Sequence, residues 1–260
     1  MKTNSFMYRA SQIVKYYVQA VCMVCFAFIS IAKGESLPKL QVVTEEWLPY
    51  NYLDSEGKLV GRATKKVHHV LKAAGVEYEI GVYPWVRAMK MVEETPNTMI
   101  FSIFRTEERE KRFHWACPLL GPVKEYMFKL SARKDIKFKN LNEAKHYITS
   151  IVKDSVGYVY LKKNGFEPGV NLDVSADATA IPRKLVAGRV DLTMTTEYSI
   201  SEALKRLNLP YETVERVMEV HDLNDKRACM AFNLQTDPAL MDAIINALAV
   251  YNADPTLPVP

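Results

Sequence analysis

From Lys39 onward, short apolar runs alternate with segments whose apolar residues recur every three to four positions. KLQVVT (39–44) reads as a strand. In EEWLPYNYLDSEGKLVG, which follows, Asp54-Ser55-Glu56-Gly57 predicts a turn between two short extended pieces. Val67, Val70, Leu71 and Ala74 recur at i, i+3, i+4 and i+7, which predicts a helix with one apolar face. Gly75 suits the C-terminal end of that helix. VEYEIGVY predicts a strand, WVRAMKMVEE a helix and TMIFSIF (98–104) a buried strand. Thr106 then suits a helix N-cap, with Glu107 and Glu108 in the first turn, where the helix dipole favours negative charge. In such a helix Glu107 reaches Lys111 and Glu108 reaches Arg112, four residues on. Arg105 and Arg109 have no acid at that spacing.

After CPLLGP the alternation restarts. YMFKLSAR is a strand, NLNEAKHY a short helix, ITSIVK a strand, SVGYVYLKKN a helix ended by Gly165, and NLDVSA a strand. Pro182 suits the first turn of the helix PRKLVA, where a missing N–H costs nothing, and Gly188 stops it. RVDLTM is a strand, EYSISEALKRLNL a helix, and ETVERVMEV and CMAFN are extended. DPALMDAIINALAVYN is a final helix with Asp237 as its cap, and NADPTLPVP reads as an extended tail. Strand–helix alternation of this kind predicts parallel or mixed sheets covered by helices. Pro118–Pro122 is the best candidate boundary.

The first residues follow another pattern. Lys2, Arg9 and Lys15 precede the mostly apolar YYVQAVCMVCFAFISIA, and no acid occurs before Glu35. That is the arrangement of a secretory signal, with Ser30-Ile31-Ala32 as the cleavage site and Lys33 as the new N-terminus. The alternative is an uncleaved anchor, although a spanning helix wants roughly 20 apolar residues and this run is shorter. Removal changes the charge. The chain has 34 basic and 30 acidic residues, net +4. Without the three basic residues of the signal the net falls to +1, and no clustered basic surface for nucleic acid remains. Of the 4 cysteines, Cys117 and Cys229 lie outside the signal. Export implies an oxidising compartment, but sequence alone does not bring the two together. The histidines show no metal-ligand spacing, since His68 and His69 are adjacent and diverge on a helix. No cofactor is expected.

The order VVTEEWLPYNYLDSEGKLVG, VYPWVRAM, IFSIFRTEEREKRFHWACPL and LVAGRVDL resembles the bacterial extracellular solute-binding proteins of family 3, related to periplasmic receptors for polar amino acids. RTEEREKRFHWACP is the most specific match. The resemblance implies an α/β, two-lobe periplasmic binding protein-like fold of type II, each lobe a mixed sheet flanked by helices. The implied division is a signal peptide at 1–32, lobe 1 at 37–118 plus 229–260, lobe 2 at 123–222, and crossings at 119–122 and 223–228. Cys117 and Cys229 then each flank a crossing, either as a disulfide or as two small buried residues.

By the same resemblance, a periplasmic monomer captures a small anionic or zwitterionic solute between its lobes and delivers it to a membrane permease or a sensor kinase. Arg109 is the carboxylate-binding arginine, with backbone amides at Ser102 and Phe104 beside it. A guanidinium fork suits a carboxylate because it makes two parallel hydrogen bonds. Phe104 stands where the family often has threonine. Thr195-Thr196 stand where amino-acid receptors place an amine-binding aspartate, with Glu197 one position late. Arg105 is an added charge, either a second anion-binding group or a surface cation. Trp85 and Trp47 are candidate rings against the solute, Arg87 a cleft cation, and Glu45 an acceptor for a solute donor. Two further readings of the same fold stand beside this one, a sensory domain and a periplasmic dehydratase-type enzyme. The enzyme reading lacks a paired acid and base.

Overall fold

The computed structural model describes residues 37–223 and 226–257. The expected signal peptide, residues 1–32, lies outside them. The described chain forms two five-stranded mixed sheets and one small hairpin.

The first sheet contains β1 (Leu40–Thr44), β4 (Tyr78–Val82), β5 (Thr98–Phe104), β6 (His114–Ala116) and β12 (Ala228–Phe232), in the order β4-β1-β5-β12-β6. β4, β1 and β5 are parallel, whereas β12 runs antiparallel to both β5 and β6. All seven residues of β5 are buried, as expected of a central strand covered on both faces. One face carries α1 (Arg62–Ala73) and α7 (Pro238–Ala253), which bury Val67, Val70, Leu71, Leu240 and Ile244 against Met99 and Phe101. The Asp237 carboxylate caps α7, accepting from the Ala239 N–H at 2.9 Å and the Leu240 N–H at 3.0 Å. The other face carries α2 (Trp85–Glu94). β2 (Tyr52–Leu53) and β3 (Leu59–Val60) form the hairpin around the predicted turn. Gly61 precedes α1 at φ 121°, and a Cβ there would lie 2.2 Å from the Tyr50 carbonyl oxygen, so only glycine fits.

The second sheet contains β7 (Tyr126–Leu130), β8 (Thr149–Val152), β9 (Leu172–Ser175), β10 (Leu192–Thr195) and β11 (Val214–Glu219), in the order β11-β7-β10-β8-β9. α3 (Leu141–Ala144), α4 (Val156–Lys163), α5 (Ala180–Val186) and α6 (Glu197–Arg206) flank it. Met127, Ile151, Leu161, Phe166, Leu192 and Met194 are part of its core. The chain passes between the sheets twice, after β6 and after β11. The passages touch, with Pro122 bridged to Arg227.

The helix expected after Thr106 does not form. The segment makes a turn and then a short 3-10 helix over Glu110–Arg112. Sheet register supplies the reason. Phe232 pairs with both Met99 and His114, so β6 begins level with the start of β5. Residues 105–113 must therefore run back along about five strand residues, some 17 Å. Seven residues wound as an α-helix would advance only about 10 Å. The expected ion pairs change accordingly. Arg112 pairs with Glu93, and Glu108 pairs with Lys163 of α4. Arg105, expected to lack an acid, pairs with Glu110.

Cys117 and Cys229 form a disulfide. Register again explains it, because antiparallel pairing of Ala116 with Met230 sets Cys117, which follows Ala116, opposite Cys229, which precedes Met230.

Candidate functional site

A cleft of ≈ 180 Å³ lies between the sheets. Its first wall is made by the segment after β1, the bulged end of β5, Arg109 and Trp85. Its second wall is made by the N-terminal ends of α4 and α5, by one face of α6 from Ser199 to Arg206, and by β10.

Ser102 sits at the bulge in β5. Opposite it, β12 steps from Cys229, paired with Ile103, to Met230, paired with Phe101, leaving Ser102 without a partner residue. It adopts φ 64°, and such bulges re-aim a strand beside a site. Its hydroxyl donates to Asn51 Oδ1 at 2.6 Å, while Asn51 Nδ2 donates to the Glu45 carbonyl at 2.6 Å and to Thr44 Oγ1 at 3.0 Å. This buried network ties the loop after β1 to the end of β5.

Arg109 is only 4% exposed. It donates to the Phe104 carbonyl at 3.1 Å and to the Asp154 carbonyl, in the β8–α4 loop, at 2.8 Å. Its guanidinium carbon lies 5.2 Å from the Trp85 ring centroid. No carboxylate of the described residues comes within ion-pair distance of it. Burial pulls its pKa down to about 10, reinforced by Arg112 and opposed by Glu45, Glu108 and Asp154. The group is therefore a buried cation held by neutral carbonyls, an arrangement that favours an incoming anion.

Trp85 is buried, and its Nε1–H donates to the same Asp154 carbonyl at 3.1 Å. Trp47 is half-buried and packs against Tyr50 and Phe104, with centroids at 4.4 and 5.5 Å. Phe104 lines the cleft. Glu45 also lines it. Burial raises the Glu45 pKa to about 8, with Arg109 opposing the shift and Asp177 adding to it.

Three candidates from the sequence stand elsewhere. Arg105 is exposed, paired with Glu110 and stacked on Trp115. Arg87 is exposed over the Tyr83 ring. Glu197 is exposed on the outside of α6, where it accepts from the Tyr211 hydroxyl at 3.0 Å and faces Arg216 at 3.7 Å. None of the three lines the cleft. Thr195 does, while Thr196 caps α6 by accepting the Ser199 N–H.

Sequence reasoning missed Glu125, Ser155, Arg183, Arg206 and the Asp154 carbonyl. Glu125 lines the cleft where the chain enters the second sheet, and burial raises its pKa to about 8. Ser155 caps α4, accepting the Tyr158 N–H at 3.1 Å, and a serine before an apolar helical run was the available signal. Arg183 lines the cleft from α5. Arg206 crosses from α6 to the first lobe, donating to the Leu53 carbonyl at 2.8 Å and facing Glu46 at 3.6 Å.

The family model of bacterial extracellular solute-binding proteins, family 3, matches residues 40–258. No curated protein matches the chain. Among solved structures, an ancestral arginine-binding protein bound to arginine is similar at 21% identity, covering 84% of this chain and 94% of that one, with TM-score 0.72. A histidine kinase sensor domain with similarity to periplasmic binding proteins is similar at 16% identity, covering 84% and 92%, with TM-score 0.73. The arginine-, lysine-, histidine-binding protein ArtJ from Geobacillus stearothermophilus is similar at 19% identity, covering 83% and 90%, with TM-score 0.68. At these identities the likeness speaks for the two-lobe fold.

Proposed function

The chain belongs to the bacterial extracellular solute-binding proteins, family 3, and on that premise we propose that its cleft captures a small carboxylate-bearing solute, amino-acid-like or another organic anion. The observation that carries the reading is Arg109, a buried guanidinium whose two observed hydrogen-bond partners are carbonyls. A solute carboxylate supplies the counter-charge that these carbonyls do not. Trp47 and Phe104 offer apolar surface to the rest of the solute, and Glu45 offers an acceptor for a solute donor.

The protein acts without catalysis in the periplasm, after loss of residues 1–32, and releases its solute to a membrane permease. The likeness to a histidine kinase sensor domain favours a second reading, in which the closed form signals to a sensor kinase. Copurified solute identified by mass spectrometry, followed by calorimetric titration, tests the site. Arg109→Met keeps much of the stem and deletes the fork. It is expected to weaken binding by roughly 2–5 kcal/mol, the range for truncating one member of a buried hydrogen-bonded charge pair. Arg109→Lys is expected to weaken it too, because an ammonium lacks the planar two-point geometry. Parent-like affinity in Arg109→Met would refute the carboxylate site.

A further inference from the structure

We propose that Trp85 and Arg109 jointly clasp the backbone carbonyl of Asp154, so that the lobes hold each other through the floor of the site as well as through the solute. The proposal rests on the reading of the cleft as a solute site. It adds a role for Trp85 as a positioning residue.

The geometry is specific. A carbonyl oxygen has two lone pairs, and here both are engaged from the other lobe, by Arg109 at 2.8 Å and by the Trp85 indole N–H at 3.1 Å. Asp154 is placed for this by a left-handed backbone at φ 57°, which Asp and Asn tolerate and β-branched residues do not. The Trp85 ring covers the guanidinium and is itself 3% exposed, so little of its face remains for a solute. It also shares an apolar cluster with Val152 and Ile181 of lobe 2. The same edge carries the Glu108–Lys163 ion pair, whose exposure leaves it a minor contributor. At the opposite rim, Ser199 donates to the Leu48 carbonyl and Arg206 to the Leu53 carbonyl. Backbone acceptors of one lobe thus meet side-chain donors of the other on both sides of the cleft.

When the lobes part, these donors turn to water. Each cross-lobe bond therefore exchanges partners and contributes a modest net amount. One such bond is expected to change the closed-to-open ratio about fivefold.

Small-angle scattering of protein stripped of solute by unfolding and refolding tests the clasp. Trp85→Phe keeps an aromatic ring over Arg109 but removes the donor. Asp154→Asn keeps the left-handed backbone, whereas Asp154→Val opposes it. The stripped parent and Asp154→Asn are expected to share one radius of gyration, that of a mixture of closed and open forms. Trp85→Phe and Asp154→Val are expected to show a larger radius of gyration. Identical curves for Trp85→Phe and the parent would overturn the proposal. So would a stripped parent that scatters as an open molecule, or Asp154→Val and Asp154→Asn that cannot be told apart. Because no solute is present, failure here leaves the Arg109 titration informative, and the reverse also holds.

Discussion

Glu125 offers a test of the cleft's electrostatics that needs no solute. It is 9% exposed, its own carbonyl accepts the Val220 N–H at 2.8 Å, and burial raises its carboxyl from 4.5 to about 8. Between these two values the folded protein keeps a proton that the unfolded chain has released. Stability therefore falls as pH rises through that window, the reverse of an ion-paired carboxylate. The slope for one such group is about 1.4 kcal/mol per pH unit. Across the whole window that would reach about 5 kcal/mol, and water admitted to the cleft reduces it to roughly 2–4 kcal/mol. Glu125→Gln removes the titration at nearly constant shape. Urea unfolding of parent and variant at pH 5, 6, 7 and 8 gives the difference curve. Glu45, also raised to about 8, and His68, lowered by burial, titrate in both proteins, so the difference isolates Glu125. The two are expected to be of similar stability at pH 5, and the variant more stable by that amount at pH 8. Parallel curves across the range would refute the assignment of a buried, protonated carboxyl.

Arg105→Met is expected to change solute affinity less than about threefold and stability by less than about 1 kcal/mol, because its pair with Glu110 is solvent-exposed; a large loss in calorimetric titration would return Arg105 to the site. Replacing both Cys117 and Cys229 by alanine is expected to destabilise the protein by roughly 2–5 kcal/mol in urea unfolding, since the bridge closes a long loop of the unfolded chain. An unchanged midpoint would contradict this.

Local signals carried much of the fold. The apolar face of α1, the Asp237 cap and the buried run of β5 each follow from residues within a few positions of one another. The segment after Thr106 did not, because its path is fixed by β12, more than a hundred residues away, and by the length it must retrace. The disulfide was open for the same reason, since it depends on the pairing of β6 with β12. At the site, Arg109 took its role from the family resemblance; its lack of an acid at helical spacing only drew notice to it, and the helix behind that spacing is absent. Arg105 has an equal lack at that spacing, yet a turn brings Glu110 to it. Glu197 was one position late for the cleft and points outward. Glu125 lies between Lys124 and Tyr126 in a stretch with no pattern to mark it. The Asp154 carbonyl belongs to the backbone, so no residue type announces it.

The position of β12 also bears on the order in which the lobes can be completed. It lies between β5 and β6, and both it and α7 come from the last part of the chain. The second sheet, by contrast, is continuous in sequence from Tyr126 to Glu219. A polypeptide emerging N-terminus first can therefore assemble lobe 2 while β6 still lacks its neighbour and the apolar face of α1 is still uncovered by α7. The facing edges of β5 and β6 must wait unpaired until β12 arrives between them. Such waiting strands are aggregation-prone, so the segment from Ala228 to Ala253 acts as an intramolecular partner whose delivery completes the first lobe.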